Sequence, residues 1–113
     1  MTHAPDAPPA VCLVATPDCG ALPQRVEYGL EEESVPVRVA EAAFDDPVAA
    51  AFEAAADSRL GIGVALSPAR GVLHHERLAR SEPLLAVDRP SPADARRLGT
   101  NAGRLAKRLP LRL

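Results

Sequence analysis

The sequence predicts an α/β protein with three layers, α/β/α, built around a five-stranded mixed sheet in which one strand is antiparallel. Short apolar runs, typical of strands, alternate with longer segments whose apolar residues recur every three or four positions, as in amphipathic helices. Their order along the chain is strand, helix, strand, helix, strand, strand, strand, helix. Only a turn over 67–71 separates the third strand from the fourth, which is too short for a helical crossover, so we expect that pair to be antiparallel.

The five predicted strands differ in how completely the rest of the chain should cover them. They are Val11–Ala15, Pro36–Ala40, Leu60–Leu66, Val72–His75 and Leu84–Asp88. The first and third are apolar throughout, which predicts parallel neighbours at the centre of the sheet, and the fifth has the pattern of a covered strand near one edge. The second alternates apolar and polar residues and begins with a proline, which favours the opposite edge. Gly61 and Gly63 are expected to let a helix approach the sheet, because a bare Gly-x-Gly is a weak nucleotide-binding signal.

The first two predicted helices have recognisable starts. The first has Pro23 in its first turn and should end near Glu33. Its apolar stripe consists of Leu22, Val26, Gly29 and Leu30. The second helix is capped by Asp45 or Asp46, with Pro47 at its first position. Its buried stripe is expected to consist of Val48, Phe52 and Ala55.

The third helix has the clearest apolar face in the chain. Ser91 and Asp94 have the spacing of a capping box at its start, and Pro110 is expected to end it. The apolar face consists of Ala95, Leu98, Ala102, Leu105 and Leu109. A polar stripe beside that face consists of Arg97, Asn101, Arg104 and Arg108, whereas Arg96 and Lys107 should point the opposite way. The cations in the last turn suit the helix dipole, which by itself explains their presence.

Composition limits the functional classes to consider. We expect a disordered arm over residues 1–10 and a single α/β domain over residues 11–113. The net charge of −2 and the three aromatic residues argue against nucleic acid, which is bound by basic fields and aromatic platforms. No apolar run is long enough to span a membrane, and the start lacks a secretory signal, so a cytoplasmic protein without a membrane partner is expected. Cys12 and Cys19 should then be reduced thiols.

No motif for autonomous catalysis stands out. His74 and His75 are adjacent in a predicted strand, so their rings should point to opposite faces and cannot easily share one metal ion. Cys12 has apolar neighbours, which favour a packed thiol over an activated nucleophile. The sequence contains no phosphate-binding loop of the Walker type and no nucleophile elbow. We therefore expect no enzyme activity and no cofactor of the chain's own.

Three adjacent carboxylates break a local rule at the end of the first helix. Glu31, Glu32 and Glu33 lie where the helix dipole is negative and disfavours each anion by roughly 0.3–1 kcal/mol. At helical spacing Glu31 points away from the apolar stripe and Glu32 lies on its flank. A cation opposite the cluster, either a metal ion or a guanidinium, would offset the penalty. A solvated acidic helix end that aids solubility is the alternative that these residues leave open.

Two segments of the chain together resemble a known family. The motifs Gly-Leu-Glu-Glu-Glu-Ser-Val-Pro over 29–36 and Leu-Gly-Thr-Asn-Ala-Gly-Arg-Leu-Ala-Lys-Arg-Leu-Pro over 98–110 resemble the small subunit of the reactivating factor for coenzyme-B12-dependent diol and glycerol dehydratases. The resemblance covers about residues 11 to 111. It implies an anticodon-binding-domain-like fold with flavodoxin-like topology. It also implies a chaperone-like role, in which the large ATPase subunit of the factor exchanges this subunit for the dehydratase medium subunit and damaged cobalamin is released.

The resemblance also implies a site and its partners. Glu32 matches the family's metal-binding glutamate, with Glu31 as a second candidate, for a divalent Mg or Ca ion shared with the large subunit. The implied partner interface consists of Glu31, Glu32, Glu33, Arg97, Asn101 and Arg104. Ser34 departs from the family pattern, which has a glycine there. The dehydratase large subunit is a further expected partner during exchange, and association with a bacterial microcompartment is a further expected location. The alternative function is a medium-type, cobalamin-contacting subunit of the dehydratase itself.

Overall fold

The computed structural model describes residues 8–113, and its elements follow the predicted order. The strands are β1 (Val11–Ala15), β2 (Val37–Glu41), β3 (Ile62–Leu66), β4 (Arg70–His75) and β5 (Leu85–Asp88). The helices are α1 (Leu22–Glu32), α2 (Pro47–Asp57) and α3 (Pro92–Ala106). Most of the arm predicted over residues 1–10 lies outside the described residues. Residues 8–10 form no regular element, and the carbonyl of Ala10 accepts a hydrogen bond from the Ser58 hydroxyl at 2.6 Å.

The sheet confirms the predicted strand arrangement. Its order is β2-β1-β3-β4-β5, with β1 parallel to both β2 and β3. Strand β4 is antiparallel to both of its neighbours and is the one reversed strand. The apolar strands β1 and β3 are therefore adjacent and central, β2 forms one edge and β5 the other. The strand order matches that of flavodoxin-like sheets, while the anticodon-binding-domain name stays a prediction.

The helices cover the two faces of the sheet unequally. Helices α1 and α3 pack side by side on one face, where Leu13, Val64 and Leu73 join Val26 and Leu30 in the main core. Helix α2 lies alone on the other face, over a smaller cluster of Ala51, Ala65 and Val72. These two clusters place the sheet between two helical layers, which confirms the three-layer α/β/α prediction. Among the described helices, none combines the length and apolar character needed to cross a lipid bilayer.

Helix α2 packs more closely on the sheet than the predicted stripe allows. Its buried residues are Ala51, Ala54 and Ala55, whereas Val48 and Phe52 are half-buried, so the predicted stripe was wrong at two of its three positions. The close approach is possible because Gly63 has no side chain: a Cβ there would overlap the α2 backbone. This confirms the role predicted for Gly63. Gly61 instead occupies the turn before β3 with φ +74°, which favours glycine.

Helix α3 begins as predicted and ends earlier. Ser91 and Asp94 form a complete capping box. The helix ends at Ala106, not at Pro110, because Arg108 adopts a left-handed conformation with φ 58° and the N–H of Leu109 turns back to the carbonyl of Arg104 at 2.8 Å. Leu109 therefore leaves the apolar face and is 40% exposed.

Strand β5 is covered on one face only, in contrast to the prediction. Leu85 and Val87 are half-buried on the α3 side, whereas Ala86 and Asp88 are exposed. The reason is geometric, since the single helix on the other face, α2, packs over β1, β3 and β4, and on the α3 side the two helices cover β5 only in part. Part of the apolar surface of β5 is therefore open beside α3.

Candidate functional site

The acidic end of α1 is a tightly turned helix terminus. Glu32 is the last helical residue and Glu33 is the C-cap, which agrees with the predicted end. The N–H of Val35 bonds to the carbonyl of Leu30 at 3.0 Å while Ser34 adopts φ 58°, the pattern of a Schellman motif. Glycine is favoured at this position, and Ser34 occupies it at a conformational cost.

Close packing of α1 against α3 brings that acidic end beside the basic residues of α3. Gly99 contacts the backbone at Val26, and a Cβ on Gly29 would lie 2.5 Å from the N–H nitrogen of Thr100. Gly103 lies beside Glu33 one turn further along. The helices therefore run side by side in the same direction, and their C-terminal ends are adjacent.

Glu32 is held by two residues of α3. Its Oε2 accepts a hydrogen bond from Nη2 of Arg96 at 2.7 Å, and its Oε1 accepts bonds from Nε of Arg96 at 3.3 Å and from Oγ1 of Thr100 at 3.1 Å. These bonds, first that from Arg96 and then that from Thr100, lower the pKa of Glu32. The carboxylate in turn raises the pKa of Arg96. Both side chains are nearly half exposed.

Glu33 is paired more deeply. Its carboxylate lies 3.2 Å from Nζ of Lys107 and 3.7 Å from a guanidinium nitrogen of Arg104, and its side chain is only 13% exposed. Arg104 also donates from Nε to the carbonyl of Pro110 at 2.6 Å. Cations of α3 and of its C-cap residue, Lys107, therefore offset the unfavourable α1 dipole within this chain. The cation expected opposite the glutamates is thus supplied by two guanidinium groups and one ammonium group.

Glu31 differs from its two neighbours. It is exposed, and within residues 8–113 its side chain has no ion-pair or hydrogen-bonding partner. No group of three or more His, Cys, Asp or Glu side chains placed to hold a metal ion occurs in the described part of the chain. Carboxylate oxygens suit Mg²⁺ and Ca²⁺, and Mg²⁺ is often held by one or two protein carboxylates with water and other ligands. In the described residues the Glu31 carboxylate is unengaged, whereas both oxygens of Glu32 already accept bonds from Arg96 and Thr100, so the two glutamates do not by themselves form a cage for a metal ion.

The polar stripe predicted on α3 is not brought together as one surface. Arg97 is exposed, whereas Asn101 is 1% exposed and faces the C-terminal segment. The Asn101 amide donates to the carbonyl of Arg112 at 2.8 Å and accepts from its N–H at 2.6 Å. Asn101 and Arg104 thus hold residues 110–112 along α3.

Of the residues that meet the acidic end, Arg104 was among the predicted interface residues. Sequence reasoning missed Arg96, Thr100 and Lys107, because it had pointed Arg96 and Lys107 away from the polar stripe. Arg96, Thr100 and Lys107 recur at intervals of four and seven, which places them on one side of a helix. That spacing was visible in the sequence. The sequence did not show, however, that this side of the helix packs against the end of α1.

The remaining chemical candidates are packed inside the fold. His74 is fully buried: its Nε2 bonds to the carbonyl of Arg80 at 3.0 Å, its Nδ1 accepts from the N–H of His75 at 2.9 Å, and its ring lies edge-on to Phe52. This is a histidine with both ring nitrogens engaged. Cys12 and Cys19 are free thiols, as predicted. Both are buried, which was predicted for Cys12 but not for Cys19.

Comparison with protein families gives one match across almost the whole chain. The model of the dehydratase medium subunit family matches residues 8–112. Three curated relatives are similar over 105 residues, or 92% of this chain. The propanediol dehydratase-reactivating factor small subunits of Citrobacter freundii and Salmonella typhimurium are 35% and 34% identical, with 90% of each relative covered. The diol dehydratase-reactivating factor small subunit of Klebsiella michiganensis is 33% identical, with 84% of it covered.

Two solved structures are similar in fold as well as in sequence. One is a diol dehydratase-reactivating factor complexed with ADP and Mg²⁺, with a TM-score of 0.85 and 31% identity over 95% of this chain and 100% of that chain. The other is a glycerol dehydratase reactivase, with a TM-score of 0.87 and 33% identity over 94% of this chain and 98% of that chain. The similarity therefore spans whole chains in both directions.

Proposed function

The chain belongs to the dehydratase medium subunit family, and we propose that it acts as the small subunit of a reactivating factor for a coenzyme-B12-dependent diol or glycerol dehydratase. In this role it exchanges with the medium subunit of the dehydratase. The exchange opens the cobalamin site and lets damaged cofactor leave.

The observation that carries the proposal is the end-to-end similarity to reactivating-factor small subunits. Relatives of that name align over 92% of this chain and over 84–90% of their own length. The alternative, a medium-type subunit that contacts cobalamin, is supported by the name of the family model alone. The names of these relatives and the share of each that is matched favour the small subunit.

We assign ATP hydrolysis to a large partner subunit and an accessory role to this chain. A similar factor was solved with ADP and Mg²⁺, which supports nucleotide binding somewhere in such a factor. At the end of α1, Glu32 and Glu33 are paired with cations, an arrangement suited to holding helices and partners together. The dehydratase large subunit is the proposed partner during exchange. We propose a cytoplasmic location, including a bacterial microcompartment where the client is packaged in one.

The proposed contact with the large subunit is centred on the acidic end of α1. Exposed Glu31 and half-exposed Glu32 supply carboxylate oxygens to a divalent Mg or Ca ion shared with the partner. Glu33 holds Arg104 and Lys107 in place behind them. Arg97 faces the partner directly, while Asn101 and Arg104 contribute by holding the C-terminal segment beside it.

Reactivation of an inactivated dehydratase tests the function. A client holoenzyme inactivated by its substrate is mixed with Mg-ATP, adenosylcobalamin and the purified large subunit, with or without this chain. We expect dehydratase activity to return only when this chain is present. Full recovery without it would overturn the proposal. Stable incorporation of the chain into a catalytically active dehydratase would instead favour the medium-subunit alternative.

A further inference from the structure

A groove runs between the edge strand β5 and helix α3. Leu85 and Val87 of β5, Leu98 of α3 and the C-terminal Leu113 supply its apolar lining. Its volume is about 230 Å³. Because β5 is the last strand of the sheet, one side of its backbone has no neighbouring strand among the described residues. The groove therefore combines an open strand edge with an apolar floor.

One rim of this groove is cationic. Arg97 and Arg112 line it, and both are exposed. Of the ion pairs within 4.0 Å in the part of the chain that the structure describes, none involves either residue. The one carboxylate on the lining, Asp94, accepts a hydrogen bond from the N–H of Ser91 in the capping box. Arg97 also acts at longer range on the charge of Asp94, and Arg112 on that of Glu32. Neither guanidinium is held in a short ion pair, so both can meet an anionic ligand as well.

We propose that this groove binds an extended acidic segment of a partner protein, which adds as a strand to the free edge of β5. Short edge strands accept added strands through backbone hydrogen bonds, and alternate side chains of the added segment supply specificity. Here one set of side chains would be apolar and lie against Leu85, Val87 and Leu98. Carboxylates at the margin would meet Arg97 and Arg112, which disfavours a basic segment. The groove shares Arg97 and Arg112 with the surface beside the acidic end of α1, but its apolar lining and the free edge of β5 lie outside that end, and the proposal does not depend on the identity of the large subunit.

Titration of the isolated chain with two designed peptides tests this. The first is a capped heptapeptide, Glu-Thr-Val-Thr-Leu-Thr-Glu, in which the two glutamates lie on the same face as Val and Leu and flank them, and the second replaces both glutamates with lysine. We expect the acidic peptide to shift the backbone amide signals of Leu85–Asp88 and Leu98 in a saturable manner in NMR spectra, and the lysine peptide not to do so. Arg97→Glu or Arg112→Glu should weaken binding by about tenfold, since each reverses a charge at the rim.

Two matched variants separate the groove from general charge effects. Arg25→Glu makes the same charge change on exposed α1 surface and should leave binding unchanged. Val87→Thr keeps the β-branched shape but removes part of the apolar floor, so it should weaken binding. Equal binding of both peptides, shifts confined to other elements, absence of saturable binding, or equal effects of Arg25→Glu and Arg97→Glu would each overturn the proposal. Reactivation of a dehydratase is a separate measurement, so failure of this docking site would leave the proposed function standing.

Discussion

Glu32 at the end of α1 and Arg96 on α3 form a two-point ion pair, with the shorter bond, Nη2 to Oε2, at 2.7 Å. Along the chain the two residues are separated by 64 positions. The pair shows how the negative end of α1 can carry glutamates, because the cation that offsets the charge of Glu32 belongs to the adjacent helix. It also means that a metal ion at Glu32 would share the carboxylate with a guanidinium group.

The ion pair predicts an acid-dependent contribution to stability. The pKa of Glu32 is lowered in the folded state from its ordinary value of 4.5. A carboxyl group of this kind stabilises the fold above its unfolded pKa, and the stabilisation is lost as pH falls through the lower, folded pKa. Glu32→Gln should therefore lower the urea midpoint at pH 7, with a difference from wild type that shrinks below about pH 4.5. Glu31→Gln is the control, and equal midpoint changes for both variants would contradict the role of the pair.

Assembly with the large subunit distinguishes a metal site from an internal ion pair. Glu31→Gln and Glu32→Gln each replace a carboxylate by an amide, a poorer ligand for hard cations. If both glutamates ligate the shared ion, each variant should reduce co-purification with the large subunit and make it insensitive to EDTA. Arg96→Gln removes the ion pair but keeps both carboxylates, so assembly should remain sensitive to the chelator. Wild-type assembly unaffected by EDTA and by either glutamine substitution would remove the metal from the interface.

The strands could be predicted from the sequence because the residues of each strand indicate by themselves how far other elements cover it. Continuous apolar residues in Val11–Ala15 indicated a central strand, and Pro36 indicated an edge, as observed. The Ser91 cap was equally local. The partners of Glu32 and Glu33 were not predicted, because they depend on how α1 and α3 pack, and no local pattern records that. Val48 and Phe52 were misplaced on α2 because their size suggested burial, whereas contact with Gly63 selects alanines.

The close contact of α1 with α3 depends on glycine at Gly29 and Gly99. A Cβ at Gly99 would overlap the carbonyl of Val26, and backbone cannot move aside as a flexible side chain can. Gly99→Ala should therefore destabilise the fold by about 3 kcal/mol, measured by urea unfolding. In Gly71→Ala the nearest atoms to the new methyl group are side-chain methyl groups of Leu98, Leu66 and Val87, which can move more easily than backbone, so the cost should be smaller. Equal losses for the two variants would contradict backbone overlap as the cause.

Asn101 should act through the C-terminal segment that it holds. Its side chain exchanges two hydrogen bonds with the backbone of Arg112, so Asn101→Leu should cost about 1–2 kcal/mol of unfolding free energy and expose residues 110–113 to carboxypeptidase. Deleting residues 110–113 removes the same two bonds from the other side. In the truncated chain Asn101→Leu should then cost much less, a non-additivity that a double-mutant cycle measures.

Thr100→Ala is the neighbouring control, because it loses a bond to Glu32 and its effect should add independently to that of the truncation. Strictly additive effects for Asn101→Leu and the truncation would show that the amide stabilises α3 by some other contact, and the role proposed for Asn101 at the partner interface would lose its basis.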